Sequence, residues 1–188
     1  MDAKKPSYLG LLNAIALGEG RAHQYLNCWA AKTTDPDVKK ILQTVAIREG
    51  EHSHAFTKRL CELGYGVLDR PDPSAAKNME IANADCSDLE KFEALGYGKP
   101  EGRDLFAGVF DDHSIDIRTG ELLGRYIAEE RDSGRMLRGC HQVLRERAQR
   151  GQGQSATSAG ELRQLHDRLD EICSAIGKLQ HEVTALRR

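Results

Sequence analysis

Apolar residues recur at alternating steps of three and four along most of this chain, and this pattern constrains the fold more than any other feature. That spacing places side chains on one face of an α-helix, whereas a half-buried strand needs strict alternation, which is almost absent here. The pattern therefore predicts an all-α protein. With 188 residues and 39% apolar content, the chain can bury one sizeable core, or one core with an extension.

Three long helices and a crossover are predicted in the first part of the chain. We expect the first helix over about 7–31 and the second from the capping residue Asp35 to about Gly64, since glycine suits a helix stop. The third is expected over about 116–147. Residues 65–100 change character, with proline- and glycine-rich ends around a short acidic helical piece, which indicates a crossover between two helical hairpins.

Polar residues interrupt each of the three predicted apolar seams near its middle. They are Glu19 in the first seam, Glu49 and His52 in the second, and Glu130 in the third. An unpaired ionised carboxylate in an apolar seam costs on the order of several kcal/mol unless it binds a metal. Residues three apart share a helix face, so Glu49 and His52 can reach one ion. The set predicts a shared cation, and its donor atoms suit iron, with manganese or zinc as alternatives.

Each of these residues also has a plainer interpretation. Glu19 alone is more often a surface acid, and His52 alone is more often a hydrogen-bonded core histidine. Glu129 and Glu130 can equally be interpreted as a solvated pair. However, the polar residues of three helices lie at the same height along the predicted bundle and on the core-facing side of each helix, and this agreement favours a metal site. The residues interpreted as surface or supporting histidines are His23, His54, His113 and His141. The five cysteines, with no Cys-x-x-Cys pair, are interpreted as packing residues.

The pattern resembles that of rubrerythrin-type members of the ferritin-like superfamily of di-iron carboxylate proteins. The residues that carry the resemblance are Glu19 in "ALGEGRAHQYL", Glu49 and His52 in "REGEHSHAF", and Glu130 in "IAEERDSGRML". The resemblance covers about residues 7 to 148 and implies a ferritin-like four-helix bundle with a long crossover. In that family helices one and three each supply a glutamate, and helices two and four each supply Glu-x-x-His. It also implies iron chemistry with peroxide, oxygen or ferrous iron, and an external electron donor if the site is redox-active.

The chain departs from the family pattern after the ferritin-like domain, residues 1–148. We expect a flexible linker over 149–160 and an amphipathic helix over 161–188, whose coiled-coil-like apolar seam contains no second Glu-x-x-His. Asp170 or Glu171 would reach the site only if this helix were rotated away from its seam. The site is therefore expected to hold one ion or an asymmetric pair. The helix either completes the bundle or pairs with another chain, and we favour a homodimer or higher homo-oligomer.

Composition excludes several classes of function. The 27 basic and 29 acidic residues nearly balance, which gives no case for nucleic acid as the main partner. No stretch approaches the ~20 apolar residues that cross a bilayer, so we expect a cytoplasmic protein without a membrane partner. Phosphate-loop, nucleophile-elbow and dinucleotide motifs are missing.

Three functions stay open: an iron oxidoreductase of peroxidase or ferroxidase type, an iron-handling protein without turnover, and a helical interaction or oligomerisation protein with a degenerate metal site.

Overall fold

The computed structural model describes the backbone of residues 5–99 and 106–186, and the side chains of these residues as far as 151. These residues form five α-helices, one short 3-10 helix and no strand, so the all-α prediction is confirmed. The α-helices are α1 (Leu9–Lys32), α2 (Pro36–Glu62), α3 (Pro73–Asn83), α4 (Asp88–Ala94) and α5 (Ile117–Leu186). Among the described residues, no helix combines the length and apolar character needed to cross a membrane.

Local sequence signals explain where the helices begin and end. The carboxylate of Asp35 accepts hydrogen bonds from the backbone N–H groups of Asp37 (2.9 Å) and Val38 (3.2 Å), which caps α2 as predicted. Gly64 follows α2 with φ of 83°, a left-handed conformation that glycine adopts without strain. In the crossover, α4 begins with a capping box in which Ser87 and Glu90 satisfy each other's backbone N–H groups.

Two hydrophobic clusters hold α1, α2 and the first part of α5 together. One includes Leu12 of α1, Phe56 of α2 and Leu123 of α5. The other includes Trp29 of α1 and Leu42 of α2, with Leu137 of α5. On each of these helices, the polar residues that interrupt the apolar seam lie between the residues of one cluster and the residues of the other. A polar layer is therefore enclosed between apolar ones, where water compensates the charges of its residues only in part.

A ferritin-like four-helix bundle is not confirmed. Within the described residues, the long helices are α1, α2 and α5, while α3 and α4 are short and lie in the predicted crossover. The chain forms two compact units, Met1–Leu144 and Arg145–Arg188. The first unit contains both hydrophobic clusters. In the second, the backbone is helical as far as Leu186.

The predicted linker over 149–160 does not interrupt the helix, because α5 continues through these residues. Glycines weaken a helix by about 1 kcal/mol each relative to alanine, but only proline would remove a backbone hydrogen bond, and this stretch has none. The side chains of 161–188 lie outside the described residues. The coiled-coil seam, the oligomer interface and any contribution of Asp170 or Glu171 therefore stay predictions.

A network of hydrogen bonds and ion pairs connects the start of α5 to α2 and to the residue that precedes α1. The guanidinium of buried Arg59 donates to Oδ1 of Asp116 and to Oγ1 of Thr119, both at 2.9 Å. The hydroxyl of Tyr8 donates to Oδ2 of Asp116 at 2.6 Å. These contacts join segments that are far apart in sequence, and they orient α5 relative to the other two long helices.

We expect Asp116→Asn to destabilise the protein by about 1 kcal/mol at pH 7, a modest value because this side chain is 39% exposed. Burial opposes ionisation of Asp116, but hydrogen bonds from Tyr8 and Thr119 outweigh it and hold its pKa below the usual value. A lowered pKa stabilises the fold above about pH 4 and loses this effect as the pH falls further. Urea unfolding at pH 7 and pH 3 measures the change, with fully exposed Asp85→Asn as the control. An equal loss at both pH values would contradict the prediction.

Candidate metal centre

The structure brings the four predicted site residues together in the polar layer. One donor atom from each of Glu19, Glu49, His52 and Glu130 lies within 4.8 Å of the others. Nδ1 of His52 lies 3.4 Å from Oε1 of Glu130. The same nitrogen lies 3.8 Å from Oε2 of Glu49 and 4.0 Å from Oε2 of Glu19. Three helices thus direct their polar side chains at one point.

These distances suit a single metal ion. Nitrogen and oxygen ligands lie about 2.1 Å from zinc and similar ions, so two ligands of one ion are at most about 4.2 Å apart. The three distances from Nδ1 of His52 fall within this limit. The largest separation in the set, 4.8 Å, exceeds it by little, so a side-chain movement of under about 1 Å closes the set around one ion.

Three donor atoms of this cluster are buried without a hydrogen-bond partner. They are Oε2 of Glu49, Nδ1 of His52 and Oε1 of Glu130. The side chains of Glu49 and His52 are each only 6% exposed. An unsatisfied buried polar atom costs about 1–3 kcal/mol, so three at one point require a common compensation. A metal ion can provide it, because one cation accepts lone pairs from all of them.

Hydrogen bonds on the outer side of the cluster orient two of the candidate ligands. Nε2 of His52 lies 2.8 Å from Oε2 of Glu129, and Arg125 donates to the other oxygen of that carboxylate at 2.9 Å. When Nε2 carries the proton and donates it to Glu129, the lone pair of Nδ1 faces the cluster. The hydroxyl of Tyr126 donates to Oε1 of Glu19 at 2.8 Å, which leaves Oε2 facing His52.

The sequence does not predict the roles of Glu129 and Tyr126. Glu129 is not one half of a solvated pair with Glu130, because it contacts the far nitrogen of His52 while Glu130 faces the near one. The sequence does indicate a partner for Glu129, since Arg125 lies four residues earlier and oppositely charged residues at this spacing meet on a helix surface. Tyr126 lies four residues before Glu130, on the same helix face, and only its polar hydroxyl indicates a second role.

Burial and mutual repulsion shift the pKa values in this cluster. Burial first, and then the neighbouring Glu49, raise the pKa of Glu19 to about 9. Burial disfavours the charged form of His52, but the nearby carboxylates of Glu130, Glu49 and Glu129 outweigh it and raise its pKa to about 10. Burial also opposes ionisation of Glu49, yet His52 holds the pKa of Glu49 below its usual value. Without a metal, protons on Glu19 and His52 therefore compensate the negative charge at neutral pH.

The other described histidines do not face the cluster. Nδ1 of His23 and Nδ1 of His54 each lie within hydrogen-bond distance of a backbone carbonyl oxygen, at 2.6 and 2.7 Å. His113 is exposed. His141 is buried, and its ring centre lies 6.2 Å from that of Phe92. The candidate centre therefore uses a single histidine among the described side chains.

The fold and the site define an all-helical protein with a buried cluster of three carboxylates and one imidazole that can hold a metal ion. In comparisons with protein-family models, with curated proteins and with solved structures, no match to this chain was found. The likeness to rubrerythrin-type proteins accordingly stays a prediction from the sequence. Any function must be supported by the geometry of the site.

Proposed function

We propose that this protein binds a transition-metal ion through Glu19, Glu49, His52 and Glu130. Iron is the first candidate, with manganese and zinc as alternatives. The observation that carries the proposal is the convergence of three buried, unpartnered donor atoms within one four-residue cluster. Buried polar atoms in folded proteins nearly always have a partner, so an exception repeated three times at one point favours a ligand there.

The charge of the cluster favours iron that changes oxidation state. With His52 neutral, the three ionised carboxylates leave one net negative charge around a divalent ion and none around a trivalent ion. In a buried layer a neutral site is favoured over a charged one, since charge is costly in a low dielectric. The residues therefore stabilise the ferric form relative to the ferrous form, which supports oxidation of bound ferrous iron.

We further propose an iron-dependent oxidoreductase or iron-handling protein of ferritin-like type, acting on peroxide, oxygen or ferrous iron. This proposal is supported by the helices that supply the candidate ligands. A glutamate comes from α1, a Glu-x-x-His pair from α2 and a second glutamate from α5. When bound, iron supplies a Lewis acid and a one-electron couple. Glu129 and Tyr126 fix the orientation of His52 and Glu19. Repeated turnover requires an external electron donor, and a homodimer or higher homo-oligomer remains part of this proposal.

Metal content after expression in iron-supplemented medium tests the proposal. We expect about one ion per chain, and its loss in Glu49→Ala and in His52→Ala, because each variant removes one ligand of a small set. Glu51→Ala is the matched control, since Glu51 lies on the same helix with an exposed side chain. Oxidation of the bound ferrous iron by peroxide is the next assay. Folded wild-type protein that takes up no metal would overturn the proposal in favour of a helical interaction or oligomerisation protein.

A further inference from the structure

A cavity of about 290 Å³ lies between α1 and α5 and reaches the candidate metal centre. Its buried side is formed by Glu19 and Tyr126, the pair joined by the 2.8 Å hydrogen bond. Leu11, which is 37% exposed, and the exposed Ala14 mark its opening to solvent. Among the described residues, the rest of its wall is aliphatic and aromatic. The described residues of this wall include Ile15, Phe106, Leu123 and Ile127.

Charged and titratable residues are fewer in this wall than in that of a second cavity on the other side of the centre. A separate cavity of about 380 Å³ lies between α2 and α5, and its lining includes Glu51, His52, His54 and Arg125. Ions and strongly hydrated molecules have polar partners there. The cavity between α1 and α5 has Glu19 as its only charged lining residue among the described ones, and that carboxylate is turned toward Tyr126 and the cluster.

Size and charge limit what the cavity between α1 and α5 can take. An apolar cavity of about 150 Å³ holds benzene, so this one admits a molecule of roughly ten non-hydrogen atoms. The carboxyl group of Glu19 is already held by Tyr126 and by the cluster, and the apolar wall cannot replace the hydration shell of an anion or of a cation. An uncharged molecule with a mainly apolar surface does not meet this obstacle.

We propose that this cavity is the substrate-binding site beside the metal centre and takes a small, uncharged, mainly apolar organic molecule. The part of this inference that concerns the metal rests on the proposed function. The ligand would lie against Tyr126 and Glu19, and Glu19 is itself one of the four candidate metal ligands. This cavity and the second one share Tyr126 and reach the centre from different sides.

Toluene is the probe for the first test, and saturation-transfer NMR on the metal-free protein measures whether it binds. We expect binding to the wild type and at least about tenfold weaker binding to Ala14→Phe and Leu11→Trp, whose larger side chains fill the opening. Both positions are exposed, so neither variant needs to disturb the core. Ala31→Phe, at an exposed alanine of α1 outside the cavity, is the matched control.

The second test measures the distance between toluene and the metal. Protein loaded with paramagnetic cobalt(II) should relax the toluene protons several-fold faster than protein loaded with zinc(II). Metal uptake without toluene binding would overturn the inference and leave the proposed function intact. Toluene binding without metal uptake would overturn the proposed function, and with it the assignment of this ligand as a substrate. Loss of toluene binding at concentrations where the chain dimerises would assign the cavity to a second copy and also overturn the inference.

Discussion

Zinc(II) added in excess to the metal-free protein at pH 7 should raise its unfolding temperature by about 10 °C. A ligand at about 1,000 times its dissociation constant stabilises the native state by about 4 kcal/mol. Each kcal/mol moves the midpoint of a domain of this size by about 2–4 °C. The physical source is the cluster itself, where one cation satisfies the unpartnered atoms and offsets the repulsion between carboxylates. Scanning calorimetry with this redox-inert ion measures the shift.

The same binding should release about two protons at pH 7. In the metal-free protein the pKa of Glu19 is about 9 and that of His52 is about 10, so both hold a proton that the ion must displace. Metal affinity therefore falls as the pH is lowered. Titration calorimetry in buffers of different ionisation enthalpy counts the protons. The variant His52→Ala should lose both the proton release and the temperature shift. The control variant Glu51→Gln should keep both. A temperature shift retained in His52→Ala would contradict the assignment of the ligands.

Glu19→Gln should raise the stability of the metal-free protein by up to about 3 kcal/mol at pH 7. In the unfolded chain Glu19 is ionised at this pH, whereas in the folded protein its pKa of about 9 keeps it protonated. The folded state therefore binds an extra proton, and stability falls as the pH rises from about 4.5 to about 9. Glutamine resembles the neutral carboxyl group and still accepts the hydrogen bond of Tyr126, so it removes this cost. Thermal unfolding between pH 5 and pH 9 measures the difference.

Glu49→Gln supplies the matched comparison, with the opposite sign. Protonated His52 holds the pKa of Glu49 below its usual value, so this carboxylate stabilises the metal-free protein and its removal should destabilise it. Both variants should lose the metal. Two results would contradict this account of how protons compensate the negative charge of the cluster. One is a gain in stability for Glu19→Gln that does not grow with pH, and the other is any gain in stability for Glu49→Gln. A gain confined to Glu19→Gln is expected where a ligand site is retained at the expense of stability.

The four members of the cluster could be predicted because each breaks a helical apolar seam. Glu19, Glu49, His52 and Glu130 all lie at mid-seam positions, and helical periodicity is a local property of the sequence. Glu129 could not be assigned in the same way. Adjacent residues on a helix point about 100° apart, so the seam that contains Glu130 leaves Glu129 outside it, and only packing decides what Glu129 contacts. Here Glu130 faces the near nitrogen of His52 and Glu129 the far one.

The predicted helix ends were reliable where a residue acts on its own backbone. Asp35 caps α2, and the turn at Gly64 follows it. The backbone of α5 continues through the predicted linker over 149–160, since a polar, glycine-containing composition lowers helix propensity without removing any backbone hydrogen bond. Composition is therefore a weaker guide to a helix end than a specific cap or a proline.

The sequence by itself determined that this chain is helical, that three helices carry polar residues in mid-seam, and that their donor atoms suit a transition metal. Only the tertiary structure decided that these atoms converge within 4.8 Å, that Tyr126 and Glu129 support them, and that an apolar cavity reaches Glu19. The physical reason is that a seam depends on residues three or four apart. Convergence depends on the rotation and offset of whole helices, which are set by packing between side chains far apart in the chain.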